Sequence, residues 1–91
     1  MNWYVYIVKC VGDSLYTGIT TDIRRRIEEH NLDNKLGAKS LRNKRPVKLV
    51  YYEIFENQTQ ATKREREIKG WNRQEKLNLI EGFTLSQTKG R

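Results

Sequence analysis

The stretch Trp3–Thr20, WYVYIVKCVGDSLYTGIT, decides the fold. It divides at Gly12-Asp13, a dipeptide that marks a turn. Residues 3–10 are rich in Val, Ile, Tyr and Trp, which suit a pleated, half-buried surface, and Leu15 to Ile19 reads as the return strand. Side chains alternate along a strand, so Trp3, Val5 and Ile7 share one face and Tyr4, Tyr6, Val8 and Cys10 the other. Turn length then decides whether Tyr6 and Tyr16 meet. A two-residue loop at Gly12-Asp13 pairs Val11 with Ser14 and sends the two tyrosines to opposite faces. A three-residue loop, Gly12-Asp13-Ser14, pairs Cys10 with Tyr16 and puts both on one face. Joint action of the two phenols therefore requires the odd loop or a bulge.

Outward from the hairpin, Thr20, Thr21 and Asp22 are capping residues and open a helix. Ile23 and Ile27, spaced i,i+4, mark its buried stripe. Arg26 and His30 share that spacing and lie beside the stripe, while Arg24 and Arg25 point further out. Asn31 to Asn34 ends the helix. Residues 33–46 read as a solvated loop carrying Lys35, Lys39, Arg42, Lys44 and Arg45. Val47 to Phe55, apolar on both faces, reads as a third strand in the sheet interior. Asn57 to Gln60 starts a helix that runs to about Lys69 and stops at Gly70, with Ala61, Glu65 and Ile68 on its core stripe. Asn72 to Glu75 is a capping box for a short helix through Ile80, ended by Gly82. The order β-β-α-β-α-α predicts an α+β fold, a small three-stranded sheet flanked by helices. One domain over residues 1–83 with a flexible tail at 84–91 is the expected division.

The chain has 91 residues, 36% hydrophobic and 32% charged, with a formal net charge of +7. That balance argues against membrane insertion and favours a polyanionic partner, nucleic acid or an anionic surface. A lone Cys10 allows no internal disulfide, and no Cys/His cluster has zinc spacing. The apolar run at the N-terminus is too short for a signal peptide. The expectation is a cytoplasmic protein.

Some residues are oddly placed for folding alone. Tyr6 and Tyr16 offer phenols that can move a proton or orient water, although Tyr is also a common strand residue. Arg26 can hold a phosphate with its planar fork of donors, or simply face solvent. His30 can act as a base or hydrogen-bond partner, or cap the last carbonyls of its helix. Glu65 is the sharpest anomaly, because a carboxylate on an apolar stripe must be paired, with Arg26 or Arg64 for instance, or bind a metal. A single carboxylate suits Mg²⁺ when water and substrate phosphate complete the shell. Phenol, guanidinium, imidazole and one metal carboxylate together suit phosphodiester cleavage.

These residues resemble the GIY-YIG nuclease superfamily. The paired motif that names it is matched by Tyr4-Val5-Tyr6, with Tyr4 where glycine is usual, and by Tyr16-Thr17-Gly18. TDIRRRIEEHN at 21–31 resembles the family's first helix, and ATKREREIK at 61–69 the helix bearing its metal-binding glutamate. GAK at 37–39, RPVKLVYYE at 45–53 and IKGWNRQEK at 68–76 resemble its small stand-alone bacterial branch. The resemblance spans about residues 3–81. It implies a central antiparallel sheet of three strands and a metal-dependent endonuclease. Tyr6 would be the general base, Tyr16 its assistant, Arg26 the phosphate ligand and His30 the residue tuning a tyrosine or the water. Glu65 would hold one Mg²⁺ or Mn²⁺. Asn72 matches an asparagine used by some members, but reads better as a helix cap.

Many relatives carry a separate DNA-binding module, which a chain of this length has no room for. The expected grip on DNA is the chain's own Arg24, Arg25, Lys39, Arg42, Lys44 and Arg45. Such contacts are salt-sensitive and sequence-independent. A monomer acting weakly or structure-selectively on DNA, in repair or recombination, is the first expectation, with a protein partner as an alternative source of specificity. The second is a nucleic-acid-binding module with little or no turnover.

Overall fold

The computed structural model describes residues 1–33 and 35–89, the side chains of 85–89 excepted. Strands β1 (Trp3–Lys9), β2 (Leu15–Thr20) and β3 (Lys48–Phe55) form one antiparallel sheet in the order β2-β1-β3. Helix α1 (Ile23–Leu32) follows β2, and α2 (Gln58–Lys69) and α3 (Arg73–Lys89) follow β3. The α+β class and the element order are as expected.

The central strand is β1. Val5, Ile7 and Val8 are 0% exposed and Tyr6 is 1% exposed, so both faces are fully covered. Val5 and Ile7 pack with Ala61 and Ile68 of α2. Tyr6, Val8 and Cys10 pack on the other face with Leu41 and Val47. Strand β3, read from sequence as interior, lies at an edge. Its two apolar faces have a different cause: α3 closes over that edge, with the Phe83 ring 5.2 Å from Tyr51 and 5.3 Å from Tyr52. Covering an edge in this way blocks pairing with another chain. A bulge at Val50 shifts the register, so that Ile7 opposes Tyr51 but Val8 opposes Leu49.

The hairpin turns over three residues, one position earlier than expected. Cys10 N–H donates to the Ser14 carbonyl at 2.8 Å, which leaves Val11, Gly12 and Asp13 as the loop. Gly12 (φ +88°) and Asp13 (φ +69°) occupy the left-handed region, open to Gly and tolerated by Asp. The exposed Val11 has left the ladder and donates its N–H to the Lys44 carbonyl at 3.0 Å. Tyr16 therefore pairs with Val8, not Cys10, and Tyr6 pairs with Gly18. The parity is unchanged, so both tyrosines share one face. Only two residues separate Tyr6 from the position across from Tyr16.

The caps form where the sequence places them. Asp22 accepts the Arg25 N–H at 3.0 Å, and Asn57 accepts that of Gln60 at 2.9 Å. Asn72 and Glu75 cap each other's backbone at 2.9 and 3.1 Å. Helix α3 does not stop at Gly82; it stays helical to Lys89. A glycine inside a helix costs only about 1 kcal/mol, which the ring packing of Phe83 outweighs. Of the expected tail, residues 90–91 lie outside the described residues, as does Asn34 at the expected end of α1. Within the expected solvated loop, Lys39–Lys44 forms a 3₁₀ helix whose Leu41, 2% exposed, plugs into the core beside Tyr6. One apolar anchor thus orders a segment whose composition reads as solvated.

Candidate active site

Three rings meet over the face of β1 and β2 that α1 covers. The Tyr6 hydroxyl lies 2.7 Å from His30 Nε2. Ring centroids are 6.5 Å apart for Tyr6 and Tyr16, and 5.4 Å for Tyr16 and His30. The register creates this cluster. Tyr6 sits across from Gly18, and its phenol leans over that residue: a Cβ on Gly18 would lie 2.6 Å from the hydroxyl oxygen. The missing side chain is the space Tyr6 occupies.

From α1 come Arg26 and His30, one turn apart. Arg26 Nη1 donates to Glu29 Oε1 at 2.8 Å and to the Leu36 carbonyl at 2.6 Å, which leaves the guanidinium beside Tyr6. His30 is 1% exposed. Burial and the Arg26 charge pull its pKa down to about 4, so the ring is neutral at neutral pH. The Tyr6 phenol is pushed up to about 12, by burial first and by Tyr16 next, against the pull of Arg26. It therefore holds its proton at neutral pH.

Glu65 joins the cluster less closely. Its carboxylate is mostly covered and pairs with Lys69 Nζ at 3.3 Å, not with Arg26 or Arg64. It is near enough to Tyr6 for its charge to oppose ionisation of the phenol. Among the described residues, no group of three or more His, Cys, Asp or Glu side chains is arranged to hold a metal ion. A lone carboxylate serves a hard cation only when phosphate and water complete the shell. Lys69 is about half exposed.

The other sequence candidates fall outside this cluster. Arg24 is exposed and lines a neighbouring groove of about 730 Å³ with Tyr4, Ile27 and Tyr52. Arg25 is exposed and reaches Glu29 at 3.6 Å. Lys39, Arg42 and Lys44 are exposed on the 3₁₀ helix. Arg45 is half-buried and donates to the Asn31 carbonyl at 3.1 Å, so it ties down the end of α1. Asn72 is engaged as a cap.

Sequence reading missed several parts. Glu29 holds Arg26, and its i,i+3 spacing was the available signal. Asn31 grips the backbone of Val47, accepting its N–H at 2.7 Å and donating to its carbonyl at 3.2 Å. On the far face, Tyr51 donates to Glu53, and Arg64 binds Glu53 at 3.0 Å and Glu67 at 3.2 Å while lying 5.1 Å from the Trp71 ring. That network fastens α2 to β3.

Comparison with known proteins points the same way. The model of the GIY-YIG catalytic domain matches residues 2–78. A UPF0213 protein of Staphylococcus saprophyticus is 54% identical over 77 residues, covering 85% of this chain and 92% of that one. A UPF0213 protein of Haloquadratum walsbyi is 50% identical over 81 residues, covering 89% of each. The solution NMR structure of a UPF0213 protein from Bacillus halodurans is 41% identical, with a TM-score of 0.57, covering 89% of this chain and 84% of that one.

Proposed function

The chain belongs to the GIY-YIG catalytic-domain family, a nuclease family, and on that premise we propose that it is an endonuclease hydrolysing phosphodiester bonds in DNA. The carrying observation is the convergence of Tyr6, Tyr16, Arg26 and His30, from two strands and a helix, on one face. In this reading the scissile phosphate sits against Arg26, whose fork of donors follows the charge building on the phosphate oxygens. Tyr6 is the general base: its phenol first gives up its proton to solvent, and the phenolate then takes a proton from the attacking water. His30 Nε2 and the Arg26 charge steady its phenolate. Tyr16 orients the water or the phosphate. Glu65 would hold one Mg²⁺ or Mn²⁺, which supplies positive charge at the leaving oxygen. Within the cell this activity fits a cytoplasmic role in repair or recombination. Among the described residues no helix is long and apolar enough to cross a membrane.

Specificity would come from the shape of the substrate, or from a protein partner. Exposed Lys39, Arg42 and Lys44, with Arg24 and Arg25, give a grip that reads backbone charge and not base sequence. The testing experiment is a panel of labelled single-stranded, branched and duplex DNAs with Mg²⁺ or Mn²⁺. The reading expects cleavage of at least one substrate, loss in EDTA, and a fall of at least tenfold in Glu65→Ala. Cleavage that survives Glu65→Ala unchanged would come from a contaminant and remove the enzyme reading.

A further inference from the structure

Both catalytic side chains of α1 are held by one short piece of backbone. Leu36 gives its carbonyl to Arg26 Nη1 at 2.6 Å. Two residues on, Ala38 gives its N–H to His30 Nδ1 at 3.3 Å. The segment is itself pinned to α1. The Asp33 carboxylate accepts the N–H groups of Lys35 and Leu36 at 2.8 and 2.9 Å, and Gly37 N–H donates to the Asp33 carbonyl at 3.0 Å. Gly37 lies so close that a Cβ there would be 2.6 Å from the Glu29 carbonyl and 2.8 Å from that of Asp33. No side chain fits between this segment and the helix.

We propose that the backbone of Leu36–Ala38 is the positioning element of the site, and that it fixes His30 as the Nε2–H tautomer. A backbone N–H can only donate, so Nδ1 must be the unprotonated nitrogen. A neutral imidazole carries one proton, which is then on Nε2. Nε2–H therefore donates to the Tyr6 oxygen 2.7 Å away. His30 cannot take the Tyr6 proton, since that would leave the ring either doubly protonated against Ala38 N–H or in need of an acceptor it lacks. The hydroxyl hydrogen of Tyr6 points away from the imidazole, and the phenolate left when that proton departs to solvent has a ready donor in Nε2–H until it takes the water's proton. In the same stroke the Leu36 carbonyl keeps Arg26 turned to the phenol. The consequence for cleavage rests on the nuclease reading; the tautomer does not.

Because the chain has one histidine, the long-range ¹H–¹⁵N spectrum of its imidazole is unambiguous. At pH 7.5 the full chain is expected to show an unprotonated Nδ1 and a protonated Nε2. Ala38 has φ −61°, compatible with proline, so Ala38→Pro deletes the donor alone. It should bring the Nδ1–H tautomer into the spectrum and lower DNA cleavage at least tenfold with unchanged DNA affinity. Ala38→Gly keeps the N–H and should match the wild type within twofold. A wild-type ring protonated on Nδ1 overturns the proposal, as does an Ala38→Pro ring identical to wild type. Should Ala38→Pro not fold, the wild-type ring spectrum still decides. If the ring behaves as expected but no DNA is cut, the positioning stands and the nuclease reading falls.

Discussion

Gly18 shows how narrowly the phenol is placed. An alanine Cβ there would lie 2.6 Å from the Tyr6 oxygen and 2.8 Å from Cζ, closer than any van der Waals contact allows. Gly18→Ala must push Tyr6 off His30. We expect a loss of about 1–3 kcal/mol in urea unfolding and a cleavage rate at least tenfold lower. Tyr6 also sets a pH dependence. With its pKa near 12, the phenolate fraction grows tenfold per pH unit, so the single-turnover rate should climb between pH 7 and 9 in wild type; a flat profile argues against Tyr6 as base. At this scale the sequence was legible where local pattern decides which side chains meet. Tyr6, Tyr16, Arg26 and His30 follow from alternation and i,i+4 spacing. The Leu36 carbonyl and the Ala38 N–H do not, because every residue has them and only the fold says where they point.

Elements were legible by local pattern and misread where distant pairing decides. The caps at Asp22, Asn57 and Asn72 depend on neighbours three residues away, and all three form. Strand β3 has the composition of an interior strand, yet α3 supplies the cover that a fourth strand would have given. The loop parity was readable from the need to join two phenols, but its placement depended on Val11 finding Lys44, a contact no local rule supplies. Helix α3 gives a clean test of why Gly82 fails to end it. A Cβ at Gly82 meets nothing within 4 Å, so Gly82→Ala should stabilise the protein by about 0.5–1 kcal/mol in the same urea assay. Destabilisation there would mean that α3 breaks at Gly82 after all.

Across the whole molecule, charge and protonation are the levers. The net charge of +7 should make DNA affinity fall steeply with salt, and Lys39→Ala should reduce the slope of log K against log salt by about 1 without altering substrate preference. Stability should respond to pH through the one histidine. The folded pKa of about 4 lies below the ordinary 6.5, so between those values the unfolded chain binds the proton and the folded chain resists it. Stability is full above pH 6.5 and declines as pH falls, by up to about 3 kcal/mol near pH 4. Between pH 6.5 and 5, before most carboxylates titrate, His30→Gln should abolish the decline. Neither property proves catalysis. The central claim is that Tyr6, held between Gly18, His30 and Arg26, moves the proton in DNA hydrolysis. It is tested most directly by single-turnover cleavage of a branched DNA with Mn²⁺, comparing wild type with Tyr6→Phe at equal bound fraction. The account predicts a rate at least about a hundredfold lower in Tyr6→Phe with DNA affinity unchanged; cleavage by Tyr6→Phe at the wild-type rate would contradict it.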